Sequence, residues 1–319
     1  MADGKLGQHT IGWIGSGRMG FAMSARLLRA GCDISIYNRT KSKAEPLAEY
    51  GGRIVDTPAE LADRDIVFTM VAGPDDFENV TLGAGGVLSV AGTAPKFLVD
   101  CTSVSQEASA TVREGAKRVG TEMLAAPVSG NAKVVKAGKL SIVASGPRTA
   151  YDAVLPYLEA LGTGATWVGE GELARMVKIC HNVLLGVVTQ SLAEITVLAE
   201  MGGVPRHAFL DFINNSVMGS RFTRYKTPSF VKLDMTPTFT PVLLRKDLDL
   251  GLAAARELGV PMPVAAATRE LVQSLIGNGY TDCDFAALLE QEARSAGHDL
   301  KAEDVDVGDG LSDAPHKAA

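Results

Sequence analysis

TIGWIGSGRMGFAMSARLLRAGCDISIY, residues 10–37, is the stretch whose reading decides the fold. Thr10–Ile14 is a short apolar strand that runs into Gly15-Ser16-Gly17-Arg18-Met19-Gly20. A helix follows from about Phe21 to Arg29, Gly31 ends it, and Asp33–Tyr37 reads as a second strand. This strand–glycine turn–helix–strand order is the context in which a GxGxxG motif carries meaning. Gly15 permits the tight turn, Gly17 lets the backbone approach a pyrophosphate, and Gly20 lets helix and strand pack closely. The helix N-terminus adds unpaired N–H groups and the positive end of a dipole. A dinucleotide-binding α/β unit is expected.

The end of the second strand bears on which dinucleotide. An NAD site usually has an acid there, accepting from the ribose hydroxyls. This chain has Asn38-Arg39-Thr40, with Lys41 and Lys43 after it. An arginine fork and a hydroxyl suit a 2′-phosphate that an acid would repel. NADP(H) is therefore expected in preference to NAD. The competing reading is a solvated basic start to the next helix.

Alternation continues outward from that unit. Asp65–Val71 and Lys96–Asp100 are near-continuous apolar runs, as buried parallel strands are. Glu122–Val128, Leu140–Ser145 and Thr166–Val168 complete the strands, with helices near 106–119 and 147–161. Ligands bind at the carboxyl ends of such strands, which brings Val71, Ala72, Thr102, Ser103 and the loop after Val128 to the crevice. In that loop Ser129 offers a hydroxyl, Gly130 an open backbone N–H and Asn131 an amide. Together they suit a small carboxylate, although an ordinary polar turn would look the same.

From Gly171 to about Met201 the chain has no proline and, after its first position, one glycine, before Gly202-Gly203. As one helix this run would span roughly 46 Å. It is apolar nearly all round, so burial on several sides is expected. Lys178 and Asn182 share one face of it and His181 lies beside them. A buried lysine is costly without compensation, although a side chain that snorkels to solvent would avoid the cost. Cys180 falls about 200° from Lys178 and reads as core. Beyond this helix strand patterns all but vanish. A helix is expected to about Asn214, then an irregular stretch from Val217 to Pro241 holding Arg221, Arg224, Lys226 and Phe239. A helix from Val242 carries Lys246 and Asp247, and two more run near 264–277 and 284–294. The expected domains are 1–170, the helix 171–201, an all-helical unit 202–294, and a mobile polar tail 295–319.

The chain has 319 residues and a net charge of −6, which argues against a general nucleic-acid or anionic-membrane binder. MADGKLGQHT is no signal peptide, and no uninterrupted apolar run approaches ~20 residues. The four cysteines lack CxxC spacing and the five histidines lack a metal-ligand pattern. A cytoplasmic protein with reduced thiols and no metal is expected.

In order, these pieces resemble the β-hydroxyacid dehydrogenase family, which includes 3-hydroxyisobutyrate dehydrogenase, tartronate semialdehyde reductase and the glyoxylate/succinic semialdehyde reductases. Five blocks over about residues 10–292 carry the likeness: Gly15–Gly20, Asp100-Cys101-Thr102-Ser103, Pro127-Val128-Ser129-Gly130, Lys178 through Asn182, and Lys246-Asp247. Asn38-Arg39-Thr40 and Val260-Pro261-Met262-Pro263 look most like the semialdehyde reductase branch. The resemblance implies a Rossmann-type N-terminal domain, a long interdomain helix and an all-α C-terminal domain. It implies Lys178 as acid/base, Asn182 orienting substrate or lysine, and Ser129 and Gly130 on the substrate carboxylate. Ser103, Phe239, Lys246 and Asp247 would line the nicotinamide and substrate pocket, and a homodimer or homotetramer is implied. Two departures stand out: Asn131 where the family commonly has a second glycine, and His181-Asn182 where it has Asn-Asn. The His-Asn pair is similar to 6-phosphogluconate dehydrogenase, whose histidine contacts substrate. The implied reaction interconverts a small hydroxy acid and its aldehyde. The rivals are an oxidative decarboxylase, which His181 favours, an imine reductase, against which Lys178 argues, and a non-enzymatic NADPH-binding scaffold.

Overall fold

The computed structural model describes residues 6–311, in two compact units that divide between Lys178 and Ile179. The first unit is built on a six-stranded parallel sheet in the order β3-β2-β1-β4-β5-β6. Its strands are β1 (Ile11–Ile14), β2 (Ile34–Tyr37), β3 (Arg53–Ile54), β4 (Ile66–Thr69), β5 (Phe97–Asp100) and β6 (Glu122–Ala125). Ile11 pairs with Ile34 on one side and Ile66 on the other, so the strand order reverses at β1. That reversal opens a crevice at the carboxyl end of β1, where Gly15 begins.

Both faces of the sheet are covered, which is why its strands read as unbroken apolar runs. Trp13, Ile36, Phe68 and Val99 point into a core shared with α1 (Arg18–Arg29) and α5 (Arg148–Leu161). Their neighbours Ile14, Val67 and Leu98 point into the opposite core, with Phe77 of α2 (Pro74–Leu82) and Val112 and Ala116 of α3 (Gln106–Arg118). The short β3 and α2 were not foreseen.

One strand expected over Glu122–Val128 is two. β6 ends at Ala125, and after Pro127 the chain enters β7 (Val128–Ser129), part of a second sheet with β8 (Leu140–Ala144) and β9 (Gly162–Trp167) in the order β7-β8-β9. β7 runs antiparallel to β8, and α4 (Ala132–Lys136) links them.

The long helix is α6, Leu173–Met201. Half of its most apolar 18-residue window is buried, less than expected, and Leu184 and Leu198 are exposed at 60% and 73%. By length and composition α6 could cross a membrane, but core helices share that property. Cys180, expected in the core, is exposed, because the buried face of α6 is set by its neighbours and not by its angle from Lys178.

In the second unit α6 contributes Val183, Leu192, Ala193 and Val197 to one core. That core is completed by α7 (Arg206–Asn215), α8 (Arg221–Lys232), α9 (Pro241–Glu257), α10 (Pro263–Gly277) and α11 (Leu288–Ser295). α8 occupies much of the stretch expected to be irregular. Ser220 and Thr223 form a capping box at its start, and Pro228 is accommodated inside it. Its last carbonyls, of Phe230 and Val231, accept from the buried Arg206 guanidinium.

The polar stretch after Ser295 is also a correction as far as the described residues run. Glu303 accepts from the backbone N–H of Arg206 and His207, and Leu300 and Val307 pack on the helical core. Two apolar side chains and one carboxylate anchor a segment whose composition reads as solvated. Residues 312–319 of the expected tail lie outside the described residues.

Candidate active site

The first unit holds the glycine turn. Gly15 has φ +101°, and a Cβ there would lie 2.2 Å from the Met70 carbonyl oxygen, so no other residue fits. A Cβ on Gly20 would fall 2.0 Å from the Gly15 oxygen. Gly17 differs, since a Cβ there would meet nothing within 4 Å. Gly17 is also the N-cap of α1, without a side-chain cap. Its openness leaves room at the helix N-terminus, where Arg18 and Met19 present first-turn N–H groups. Beside it the Ser16 hydroxyl is buried and makes no hydrogen bond among the described residues. An open cradle, a dipole end and an unsatisfied buried hydroxyl fit a phosphate of a dinucleotide.

At the end of β2 the Asn38 side chain accepts from the Ser16 N–H at 2.7 Å and donates to the Thr40 carbonyl at 2.7 Å. Asn38 thus braces the glycine turn. Arg39 is 77% exposed and pairs with Asp76 of α2 at 2.6 Å. Thr40 and Lys43 are exposed, as a site for a large anion would require.

At the end of β5 the buried Asp100 accepts from Thr69 at 2.6 Å and from the Thr102 N–H at 3.1 Å. The Thr102 hydroxyl in turn accepts from the Val71 N–H at 3.1 Å, which joins two expected crevice loops. Ser103 and Ala72 are exposed at their rims. Burial pushes the Cys101 thiol well above its ordinary range, so Cys101 is inert core.

Sequence reasoning missed Arg175, which is only 2% exposed. Its guanidinium donates to Asp100, to the Thr102 carbonyl and to Ser109. The signal was present in two charges, Asp100 ending an apolar strand and Arg175 inside an apolar helix. Ser145 completes the seat, donating to the Gly171 carbonyl at 2.8 Å and accepting from the Ala174 N–H at 2.9 Å. The first turn of α6 is thereby clamped to the carboxyl end of the sheet. Lys178, half-buried, comes three residues after Arg175. In the loop after β7, Gly130 has φ +134° and abuts Val134. Ser129 is half-buried, whereas the Asn131 carbonyl oxygen caps α4 by accepting from Lys133 and Val134. Only the amide N–H groups of Asn131 can serve an anion.

The second unit brings together His181, Asn182 and Asp247. Asn182 and Asp247 are 6% and 7% exposed, and the Asn182 amide donates to the Asp247 carboxylate at 2.6 Å. Nδ1 of His181 lies 3.0 Å from the Asn182 oxygen. Lys246 is half exposed, 3.9 Å from Asp247. Glycines allow this meeting of α6 and α9: a Cβ on Gly251 would lie 2.2 Å from Val183, and one on Gly186 3.1 Å from Leu244. Phe239 instead packs edge-to-face on Phe285, with ring centroids 5.8 Å apart.

Comparison with known proteins identifies the family. The family model for the NAD binding domain of 6-phosphogluconate dehydrogenase matches residues 10–169. The model for the NAD-binding of NADP-dependent 3-hydroxyisobutyrate dehydrogenase matches residues 172–291. Glyoxylate/succinic semialdehyde reductase 1 of Arabidopsis thaliana is 31% identical over 88% of this chain and 97% of its own length. The chloroplastic reductase 2 of that plant is 31% identical over 90% and 80%. The structure of 3-hydroxyisobutyrate dehydrogenase from Mycobacterium tuberculosis with L-serine superposes with a TM-score of 0.76 at 26% identity, covering 89% of this chain and 98% of its own. The chain belongs to the β-hydroxyacid dehydrogenase family and is an NAD(P)-dependent oxidoreductase of that kind.

Proposed function

We propose that the chain interconverts a small 3-hydroxy acid and its semialdehyde with NADP(H), using Lys178 as acid and base. The observation that carries this reading is the clamped start of α6, where Arg175, Asp100 and Ser145 fix the helix turn that precedes Lys178. A proton donor must be held within hydrogen-bond reach of the oxygen it serves, and a fixed helix does that better than a loop. The nicotinamide, when bound, supplies or accepts the hydride at the reacting carbon. Protonated Lys178 gives its Nζ proton to the carbonyl oxygen as charge develops there, and in the reverse direction neutral Lys178 takes the hydroxyl proton. Ser129 and the Gly130 N–H hold the substrate carboxylate, and Asn182 orients substrate or lysine. Gly15–Gly20 with Ser16 carry the cofactor phosphates, and Val71, Ala72, Ser103 and Lys246 flank its reactive end.

Preference for the 2′-phosphorylated cofactor rests on Arg39, Thr40 and Lys43, with no acid among residues 38–43. A cytoplasmic homodimer or homotetramer is part of the same proposal. The test is NADPH oxidation over glyoxylate, succinic semialdehyde, tartronate semialdehyde and larger aldehyde acids. Turnover of at least one, with NADPH favoured over NADH, is expected. Idle enzyme on the whole panel, or a tenfold preference for NADH, would overturn the proposal.

A further inference from the structure

An ion pair bridges the cofactor crevice. β2 and β4 lie on opposite sides of β1, Arg39 follows the end of β2, and Asp76 follows β4 in the first turn of α2. The 2.6 Å contact between Arg39 and Asp76 therefore crosses the carboxyl end of β1, where the glycine turn begins. In units of this kind the adenosine ribose binds at the end of the second strand, so the pair stands where a 2′-phosphate arrives. One guanidinium nitrogen meets one carboxylate oxygen, and the arginine side chain is 77% exposed, so a second acceptor can reach the fork. A 2′-phosphate brings about two negative charges to it. Whether the phosphate displaces the carboxylate or shares the guanidinium with it, two groups of like charge become neighbours, and their repulsion opposes binding. Asp76 keeps its charge after losing Arg39, because first-turn acids face the positive end of the helix. NADH brings no 2′-phosphate and leaves the pair undisturbed.

We propose that Asp76 is a specificity-determining residue: its carboxylate occupies Arg39 in place of the 2′-phosphate, and so limits how far the enzyme favours NADP(H) over NAD(H). This deepens the cofactor reading given above and rests on it. Arg39 and Lys43 draw the phosphate in, and Asp76 holds that attraction down. Asp56 offers the contrast. It pairs with Lys41 at 2.5 Å, but it follows β3, the edge strand on the far side of β2 from β1. An equal charge there stands outside the crevice that the Arg39–Asp76 pair crosses.

Isothermal titration with 2′,5′-ADP and 5′-AMP, which differ only in the 2′-phosphate and require no turnover, tests the proposal. Asp76→Asn is expected to tighten 2′,5′-ADP by about fivefold or more at low ionic strength, to change 5′-AMP by less than about twofold, and to lose its gain as salt is raised. Added to Arg39→Ala, the same substitution should shift 2′,5′-ADP by less than about twofold, because the pair it acts through is gone. Asp56→Asn should give less than half the gain. Unchanged or weaker 2′,5′-ADP binding by Asp76→Asn would overturn the proposal, weaker binding by showing that Asp76 organises Arg39 for the phosphate. An equal gain from Asp56→Asn would overturn it too, since the effect would then belong to the general field and not to the pair. A wild type that binds 5′-AMP more tightly than 2′,5′-ADP would remove the NADP(H) preference, while a gain from Asp76→Asn would still support the role of Asp76. Binding of neither probe would remove the cofactor reading, and the proposal with it.

Discussion

Arg39 shows that a residue's chemical type is legible in the sequence while its partner is not. Its guanidinium rests on Asp76 at 2.6 Å, 37 residues away, with 77% of the arginine side chain exposed. Exposed pairs of this kind contribute about 0–1 kcal/mol, so a 2′-phosphate of about two negative charges can displace the carboxylate. Arg39→Ala is expected to lower kcat/KM for NADPH at least tenfold and to leave that for NADH within twofold. Equal loss with both cofactors would contradict the assignment. The glycine turn was legible because each glycine answers a requirement set by its near neighbours. Arg175 was not, because its partner Asp100 lies 75 residues away. Cys180 was misread because its exposure depends on which helices pack on α6, which spacing alone does not reveal.

Among the elements, the parallel strands and α6 were legible from apolar runs and from the absence of breakers. α8 was hidden by Pro228 and by a polar sequence in which only the Ser220 and Thr223 capping box marks the start. Two element contacts have measurable consequences. Arg175→Ala would leave the Asp100 carboxylate buried without its cation, which costs about 3–5 kcal/mol, read as lost stability in urea unfolding. An unchanged midpoint would show that the clamp contributes nothing. Gly251→Ala would drive a methyl into Val183, 2.2 Å from the added carbon. Overpacking of this kind costs about 1–3 kcal/mol and would part α9 from α6, separating Asp247 from Asn182. Activity should fall with stability, and a fully active, fully stable variant would contradict the close packing.

For the whole molecule, strands first and helices afterwards announced an α/β unit followed by a helical one. The segment after α11 escaped notice because Leu300 and Val307 are isolated apolar residues in a polar stretch. Its attachment is acid-sensitive. Burial alone would raise the Glu303 carboxyl, but hydrogen bonds from the His207 backbone, the His207 ring and the Arg206 backbone outweigh it and hold Glu303 below its ordinary 4.5. A depressed acid stabilises the fold fully above its ordinary value and loses that contribution as pH falls through the depressed one. Proteolysis after α11 should therefore accelerate as pH drops below 4.5, and Glu303→Ala should show the same cleavage at neutral pH. Cleavage independent of both would contradict the anchoring.

In the proposed reaction Lys178 moves the proton. Steady-state turnover of Lys178→Ala on the best aldehyde acid, with NADPH binding followed in parallel by fluorescence, tests it most directly. A fall in kcat of at least about a hundredfold with cofactor affinity retained is expected. Near-normal turnover in that variant would contradict it.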